Sequence, residues 1–306
     1  MNTYHSFTQL KKLVDPVHWA IGFFDGVHEG HRRVISSANT PGAKRGVLTF
    51  VPHPMALLRP NSAPLLLTPH AEVKHRLLAD LGVDVLLELP FTRELAALSP
   101  EDFIEQLCSS CKVAGISVGD NWHFGKGGIG NVDFIRKEAA KRGFRACISD
   151  MLLMGEDTVC STRIRALLGD GNMDKTSQML GRPFSIFGTV EHGQKLARKL
   201  GFPTANIALP ASAALPCPGV YSISATIKGQ LCHGIANVGL RPTIQENIKI
   251  TRLEAHFTDW NQGDFYGESI EVFLHSFIRK EQKFSSIEAL KMQIEEDLSR
   301  LKHCHF

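Results

Sequence analysis

The stretch IGFFDGVHEGHRRV, residues 21–34, places three glycines, an aspartate and two histidines where an apolar run gives way to a helical pattern. The run before it, Val17 to Phe24, is β-branched and aromatic, as strands are. After it, "EGHRRVISSA" repeats apolar positions at helical spacing. Gly22, Gly26 and Gly30 carry no Cβ, so a ligand can approach the backbone there. The start of the following helix offers unpaired N–H groups and a partial positive charge, which together suit phosphate. His28 and His31, three apart, are expected on one side of the first helical turn. No third histidine completes a metal set, so they read as hydrogen-bond donors to phosphate oxygens. The plainer alternative, a glycine turn with solvent-facing histidines, does not account for the strand and helix on either side.

Working outward, 306 residues suffice for two ordinary domains. The chain is 43% hydrophobic and 21% charged, the composition of a globular protein. A net charge of +3 spread over this length argues against nucleic acid as a partner. No apolar run approaches the roughly 18 residues that spanning a bilayer needs, so no membrane partner is expected. The opening "MNTYHSFTQLKKLVD" lacks the apolar core of a signal peptide. Seven scattered cysteines do not make a disulfide framework. Cys108 and Cys111 form a lone CxxC, read as two buriable thiols at a helix end rather than a redox or metal site. A cytoplasmic location follows.

Two rhythms divide the chain. Up to about residue 150, short apolar runs ("RGVLTFV", "VDVLLEL", "GISVGD", "FRACISD") alternate with amphipathic segments, the pattern of a parallel sheet covered on both faces. Ser99-Pro100-Glu101-Asp102 is a helix start. Residues 162–181 read as helix broken at Gly169–Gly171, with Asp170, Asn172 and Asp174 as turn and cap rather than a calcium loop, since Lys175 stands where that loop needs glycine. After Arg182-Pro183 the period becomes two. In "VYSISATI", Tyr221, Ile223, Ala225 and Ile227 share a face, as in an antiparallel barrel or sandwich. "SSIEALKMQIEEDLSRLK" is a closing helix capped by Ser285 or Ser286. The expected fold is therefore α/β followed by all-β, divided into residues 1–182 and 183–306.

Several blocks carry a family resemblance. "GFFDGVHEGH" resembles the HxGH signature of nucleotidyltransferases, and "CSTRIRALL" resembles their second, Ser/Thr-rich signature. "VLTFVPHP", "LLLTPHAEVKHRLLADLGVDVLLELPF" and "VGDNWHFGKGGIGN" are similar to blocks of prokaryotic bifunctional FAD synthetases. "GQKLARKLGFPTANIALP", "GVYSI", "NVGLRPT", "LEAHFTDW", "FYG" and "RKEQKF" resemble the riboflavin kinase half of that family. The resemblance implies a Rossmann-like nucleotidyltransferase domain followed by a riboflavin kinase barrel. It implies phosphorylation of riboflavin to FMN with ATP, then adenylylation of FMN to FAD with release of pyrophosphate.

By the same resemblance, His28, His31, Ser161, Thr162 and Arg165 meet the nucleotide phosphates, and Gly22, Phe24, Asp25, Gly26, Gly30 and His53 line that site. Asn121, Phe124 and Gly125 lie by the flavin phosphate and nucleotide. In the second half Gly193, Gly201, Thr204, Asn206 and Arg279 bind nucleotide or flavin. Thr204 and Asn206, hard oxygen donors, hold Mg²⁺ with ATP, and Glu254 accepts the proton of the ribityl hydroxyl. The implied partners are small-molecule substrates, with the chain a monomer or weak homo-oligomer.

The chain also departs from the pattern. His123 and Gly128 stand where the family usually carries arginines, Val51 where an acid is common, and Ala197 where glycine is common. Those departures leave two rivals: a riboflavin kinase with lost or altered adenylylation, and a flavin- or nucleotide-binding regulator without turnover.

Overall fold

In this computed structural model, residues 1–191, 204–242, 249–263 and 265–301 are described. The chain divides into two compact units, Met1–Cys160 and Ser161–Phe306.

The first unit runs β1 (Asn2–Tyr4), α1 (Phe7–Leu10), β2 (Val17–Ile21), α2 (Glu29–Ser37), β3 (Lys44–Val51), α3 (Pro54–Leu58), α4 (Ala71–Asp80), β4 (Val85–Pro90), α5 (Arg93–Ala96), α6 (Pro100–Ser110), β5 (Val113–Gly119), α7 (Val132–Arg142), β6 (Arg145–Ser149) and a two-strand hairpin, β7 (Leu153–Met154) with β8 (Asp157–Thr158). The main sheet has the order β1-β4-β3-β2-β5-β6 and every neighbouring pair is parallel. All five residues of β2 are buried, because helices cover both faces of the central strands. Trp19 and Ala20, adjacent on that strand, belong to two different core clusters. Trp19 is fully buried, and the room for its ring comes from Gly46 on β3, where a Cβ would lie 2.6 Å from it. The strands expected from the sequence are all present; β1, the β7–β8 hairpin and the short helices α1, α3 and α5 are additions to that reading.

This strand order has a functional consequence. From β2 the chain proceeds to β3 and β4 on one side, then returns to place β5 and β6 on the other. The order reverses between β2 and β5, and in open sheets of this kind ligands bind beyond the carboxyl ends of such a pair. The glycine turn leaves β2 at that end, and the block from Gly119 to Asn131 leaves β5 at the same end.

The second unit begins with two helices, α8 (Ser161–Gly169) and α9 (Met173–Leu180), the latter capped by the Asn172 side chain. They are broken by Gly171 at φ 72°, as the sequence pattern anticipates. Strands β9 (Phe184–Glu191), β10 (Ala205–Ala208), β11 (Gly219–Ile227), β12 (Gln230–Pro242), β13 (Lys249–Phe257) and β14 (Ser269–Lys280) close into an antiparallel barrel in the order β10-β13-β12-β11-β14-β9. Of the two all-β forms left open, the barrel is the one adopted. Tyr221, Ile223, Ala225 and Ile227 are all buried, as their alternation requires. Helix α10 (Ile287–Arg300) follows, with Ser286 as its cap. Helices α8 and α9 pack with the barrel unit, so the compact division falls at Cys160, upstream of the expected 182/183 boundary.

Two candidate active sites

The first site is built on the turn Gly22–His28. Gly26 has φ 84°, and two non-glycine residues, Phe24 (φ 56°) and Val27 (φ 42°), share the left-handed region. Such conformations each cost about 1–3 kcal/mol and persist only where the surroundings impose them. Here they do. Asp25, 3% exposed, accepts from the backbone N–H of Leu67 (3.1 Å) and of Thr68 (3.0 Å), and the Thr68 hydroxyl accepts from Gly26 N–H at 3.1 Å. Expected to face ligand, Asp25 uses both carboxylate oxygens to pin the turn.

His28 is not in the helix but caps it. Its Nδ1 accepts from His31 N–H at 3.2 Å, so a proton on this ring sits on Nε2. The two imidazoles stack with centroids 3.5 Å apart and planes 18° from parallel. Burial, with the charges of His28 and Lys74 adding to it, holds His31 neutral well below its ordinary range. Its Nδ1 is buried without a hydrogen-bond partner. An orphaned buried ring nitrogen is costly unless a ligand completes it.

Phe24 lies in the core, edge-on to His31 at 5.3 Å, and so supports the ring. His53, at the end of β3, caps α3 through Met55 N–H and stands edge-on to Phe23 at 4.1 Å. Phe124 is likewise a core residue, stacked on Trp122 at 4.3 Å and bridged to Gly130. Gly125 has φ 72°, and a Cβ there would meet Pro100 at 2.7 Å, so only glycine lets this loop dock on the start of α6. Asn121 and His123 are exposed, and Gly128 adopts φ 69°, where an arginine would be strained. Ser161, Thr162 and Arg165 occupy the first turns of α8, within the second unit, with Ser161 and Arg165 half-buried and Thr162 exposed.

The second site lies on the barrel wall. Strand register sets Asn206 of β10 and Asn237 of β12 directly opposite Glu254 of β13, one on each side. Leu253, Ala255 and Val238, next to them in sequence, point the other way, so by alternation the three polar residues share one face of the wall. Asn206 is 3% exposed and Thr204 half-buried. On the opposite face, that of Ala205 and Ala255, a cavity of about 270 Å³ opens beside Thr204, lined also by Phe257, Trp260 and Tyr266. Arg279, expected to bind ligand, is committed elsewhere. Its guanidinium clamps Asp297 of α10, with Nε at 2.9 Å and Nη2 at 2.7 Å, and Asp297 is fully buried. Gly193 and Gly201, with Ala197 and the C-terminal "HCHF", lie outside the described residues.

The lone CxxC forms no disulfide, and burial raises both thiols, Cys111 to about 11, which makes them unreactive. Among the described residues no cluster of three or more His, Cys, Asp or Glu side chains would hold a metal, and no helix is long and apolar enough to cross a membrane.

A phosphate-type turn at the switch point of a parallel sheet, joined to a barrel bearing a carboxylate between two amides, defines a phosphate-group transferase of two parts. The comparisons are specific. A FAD synthetase family model matches residues 11–163 and a riboflavin kinase model matches residues 180–305. The bifunctional riboflavin kinase/FMN adenylyltransferase of Pseudomonas fluorescens is 37% identical over 91% of this chain and 90% of its own. That of Escherichia coli K12 is 38% identical over 90% and 89%. A crystal structure described as a macrolide-efflux protein from Streptococcus pneumoniae superposes with a TM-score of 0.87 at 27% identity, covering 99% of both chains. The chain belongs to the bifunctional riboflavin kinase/FMN adenylyltransferase family.

Proposed function

We propose that residues 183–306 phosphorylate riboflavin to FMN with ATP and that residues 1–182 adenylate FMN to FAD. The observation that carries this reading is the presence of both family models, in order, on one chain.

In the kinase step the ribityl 5′-hydroxyl oxygen attacks the γ-phosphorus of ATP, the bond to the β-phosphate oxygen breaks, and ADP leaves. Glu254 takes the hydroxyl proton. The alternating register that gives Asn206 and Glu254 a common face supports this role. Thr204 and Asn206 offer a hydroxyl and an amide carbonyl, hard oxygen donors that fit Mg²⁺ shared with nucleotide phosphates rather than an all-protein cage. When bound, the ion would neutralise charge on the transferring phosphoryl group.

In the adenylyl step an FMN phosphate oxygen attacks the α-phosphorus of ATP, and pyrophosphate leaves as its bond to that phosphorus breaks. No covalent intermediate is needed. His28, through Nε2–H, and His31 donate to the α-phosphate oxygens, and the match of Ser161, Thr162 and Arg165 to the second nucleotidyltransferase signature supports reading them as phosphate ligands. Gly22, Gly26 and Gly30 leave room for the triphosphate, while Asp25, Phe24 and Lys74 hold the turn in shape. The chain works in the cytoplasm, alone or as a weak homo-oligomer, with small molecules as its partners.

The test is a time course with riboflavin, ATP and Mg²⁺, resolving flavins by chromatography. FMN followed by FAD is expected. FMN alone, with added FMN unconverted, would establish the kinase-only rival. Absence of both products would leave a binding protein.

A further inference from the structure

Lys74 of α4 is 6% exposed, lies beneath the glycine turn, and plays no part in the sequence-based assignment of the site. Its ammonium donates to the Phe23 carbonyl at 2.7 Å and to the Thr49 hydroxyl at 2.8 Å. Thr49 in turn donates to the same carbonyl at 2.9 Å. The charge also lies 4.7 Å from the centroid of the Phe23 ring. Among the described residues, no carboxylate forms an ion pair with it.

A lysine this deeply buried is normally paired, because removing an ammonium from water costs several kcal/mol even after relaxation. Its direct hydrogen bonds go to neutral oxygens, with the Asp25 and Glu88 carboxylates acting on it only at longer range. Its place explains what the arrangement is for. Phe23 immediately precedes Phe24, the first residue of the left-handed turn, and two donors seize its carbonyl. Asp25 fixes the other flank of that turn through Leu67 and Thr68. The lysine's field reaches the phosphate-facing side too, since it is one of the causes that keep His31 neutral.

We propose that Lys74 is a positioning residue of the adenylyl-transfer site, whose buried charge is matched by the phosphates of the bound nucleotide and whose grip on the Phe23 carbonyl fixes the turn that receives them. The proposal rests on the reading of that turn as the adenylyl site. It assigns Lys74 two separable tasks, a hydrogen bond to the turn and a charge toward the anion.

The full chain separates them. Lys74→Met removes both, and FAD formation from FMN should lose about 10- to 100-fold in kcat, with riboflavin phosphorylation by the same protein within about twofold of normal. Lys74→Gln keeps a donor without the charge; kcat should recover to within about tenfold while the KM for Mg-ATP in FAD formation stays at least about fivefold raised. FAD formation by Lys74→Met within about threefold of the unaltered chain overturns the proposal. Equal losses in both activities, with an unchanged KM for Mg-ATP, also overturn it.

Should neither variant fold, the unaltered protein decides. Burial lowers the Lys74 pKa to about 8 against the opposing pull of Glu88 and Asp25. Its titratable neighbours are His31, Asp25 and Glu88, the last also meeting His75, and the measurement is made at about pH 8. Binding of Mg-ATP without flavin should then take up a fraction of a proton, read by calorimetry in two buffers of different ionisation enthalpy. No uptake overturns the proposal. An unaltered chain that makes no FAD at all instead removes the parent reading of the turn.

Discussion

Acid should loosen the first unit through one histidine on the strand that leads into the glycine turn. His18 lies on β2 and is fully buried. Its Nδ1 meets the Thr40 hydroxyl at 2.8 Å and its Nε2 meets the Ser117 hydroxyl at 3.0 Å. Ser117 also accepts from Ser37 at 2.9 Å. Opposite on β5 is Gly115, where a Cβ would fall 2.7 Å from the imidazole, so the ring fills that space. Desolvation, then the charges of Arg145 and Arg45, lower its pKa from 6.5 to about 4. The unfolded chain therefore binds a proton below pH 6.5 that the folded chain refuses until about 4. This contribution to stability is complete above the unfolded value and is lost as pH falls between the two. At about 1.4 kcal/mol per pH unit, roughly 2.5 kcal/mol is gone by about pH 4.5. The assay is urea unfolding at several pH values, followed by tryptophan fluorescence, since Trp19 and Trp122 lie in this unit. His18→Gln has no proton to gain, so its stability should fall less over that range by about the same 2.5 kcal/mol. Parallel pH profiles for the two proteins would refute the reasoning.

Glu254→Gln should lower riboflavin phosphorylation by about 100-fold or more while leaving FMN adenylylation unchanged, measured on one protein with each flavin in turn. Arg279→Met strands the buried Asp297 carboxylate, so thermal unfolding of the barrel unit should show a loss of about 3 kcal/mol. That loss should come with little change in KM for riboflavin, which a ligand-binding arginine would not permit. Gly125→Ala should destabilise the first unit by about 1–3 kcal/mol and slow FAD formation, as its Cβ meets Pro100. Urea titration and the FMN-to-FAD rate check both halves of that expectation.

The central parallel strands were readable because burial on both faces demands near-continuous apolar runs, and β2 to β6 carry them. β1 was not, since three residues, Asn2 to Tyr4, hold their place by pairing with β4 rather than by pattern. β10 hid because Pro203 ahead of it reads as a turn, yet Asn206 sits within a strand opposite Glu254. At the sites, motif resemblance located the turn and the glutamate but could not tell which side chains the protein itself consumes. Asp25 goes to two backbone amides, and Arg279 goes to a carboxylate 18 residues away. Lys74 had a faint signal: it stands four residues before Leu78 and seven before Leu81, on the buried stripe of its helix. A cation on such a stripe asks for an explanation that periodicity alone does not supply.

The strand order has a further consequence, for what the molecule can offer to another chain. Among the described residues the barrel closes from β9 to β10, so it has no terminal strand. The parallel sheet ends in the three-residue β1 on one rim and in β6 on the other, a five-residue strand that opens with Arg145. Short rims and a leading cation are the devices by which sheets resist templating foreign strands. Edge-to-edge association, the common route from a native sheet to an aggregate, thus has little backbone to work with in either unit.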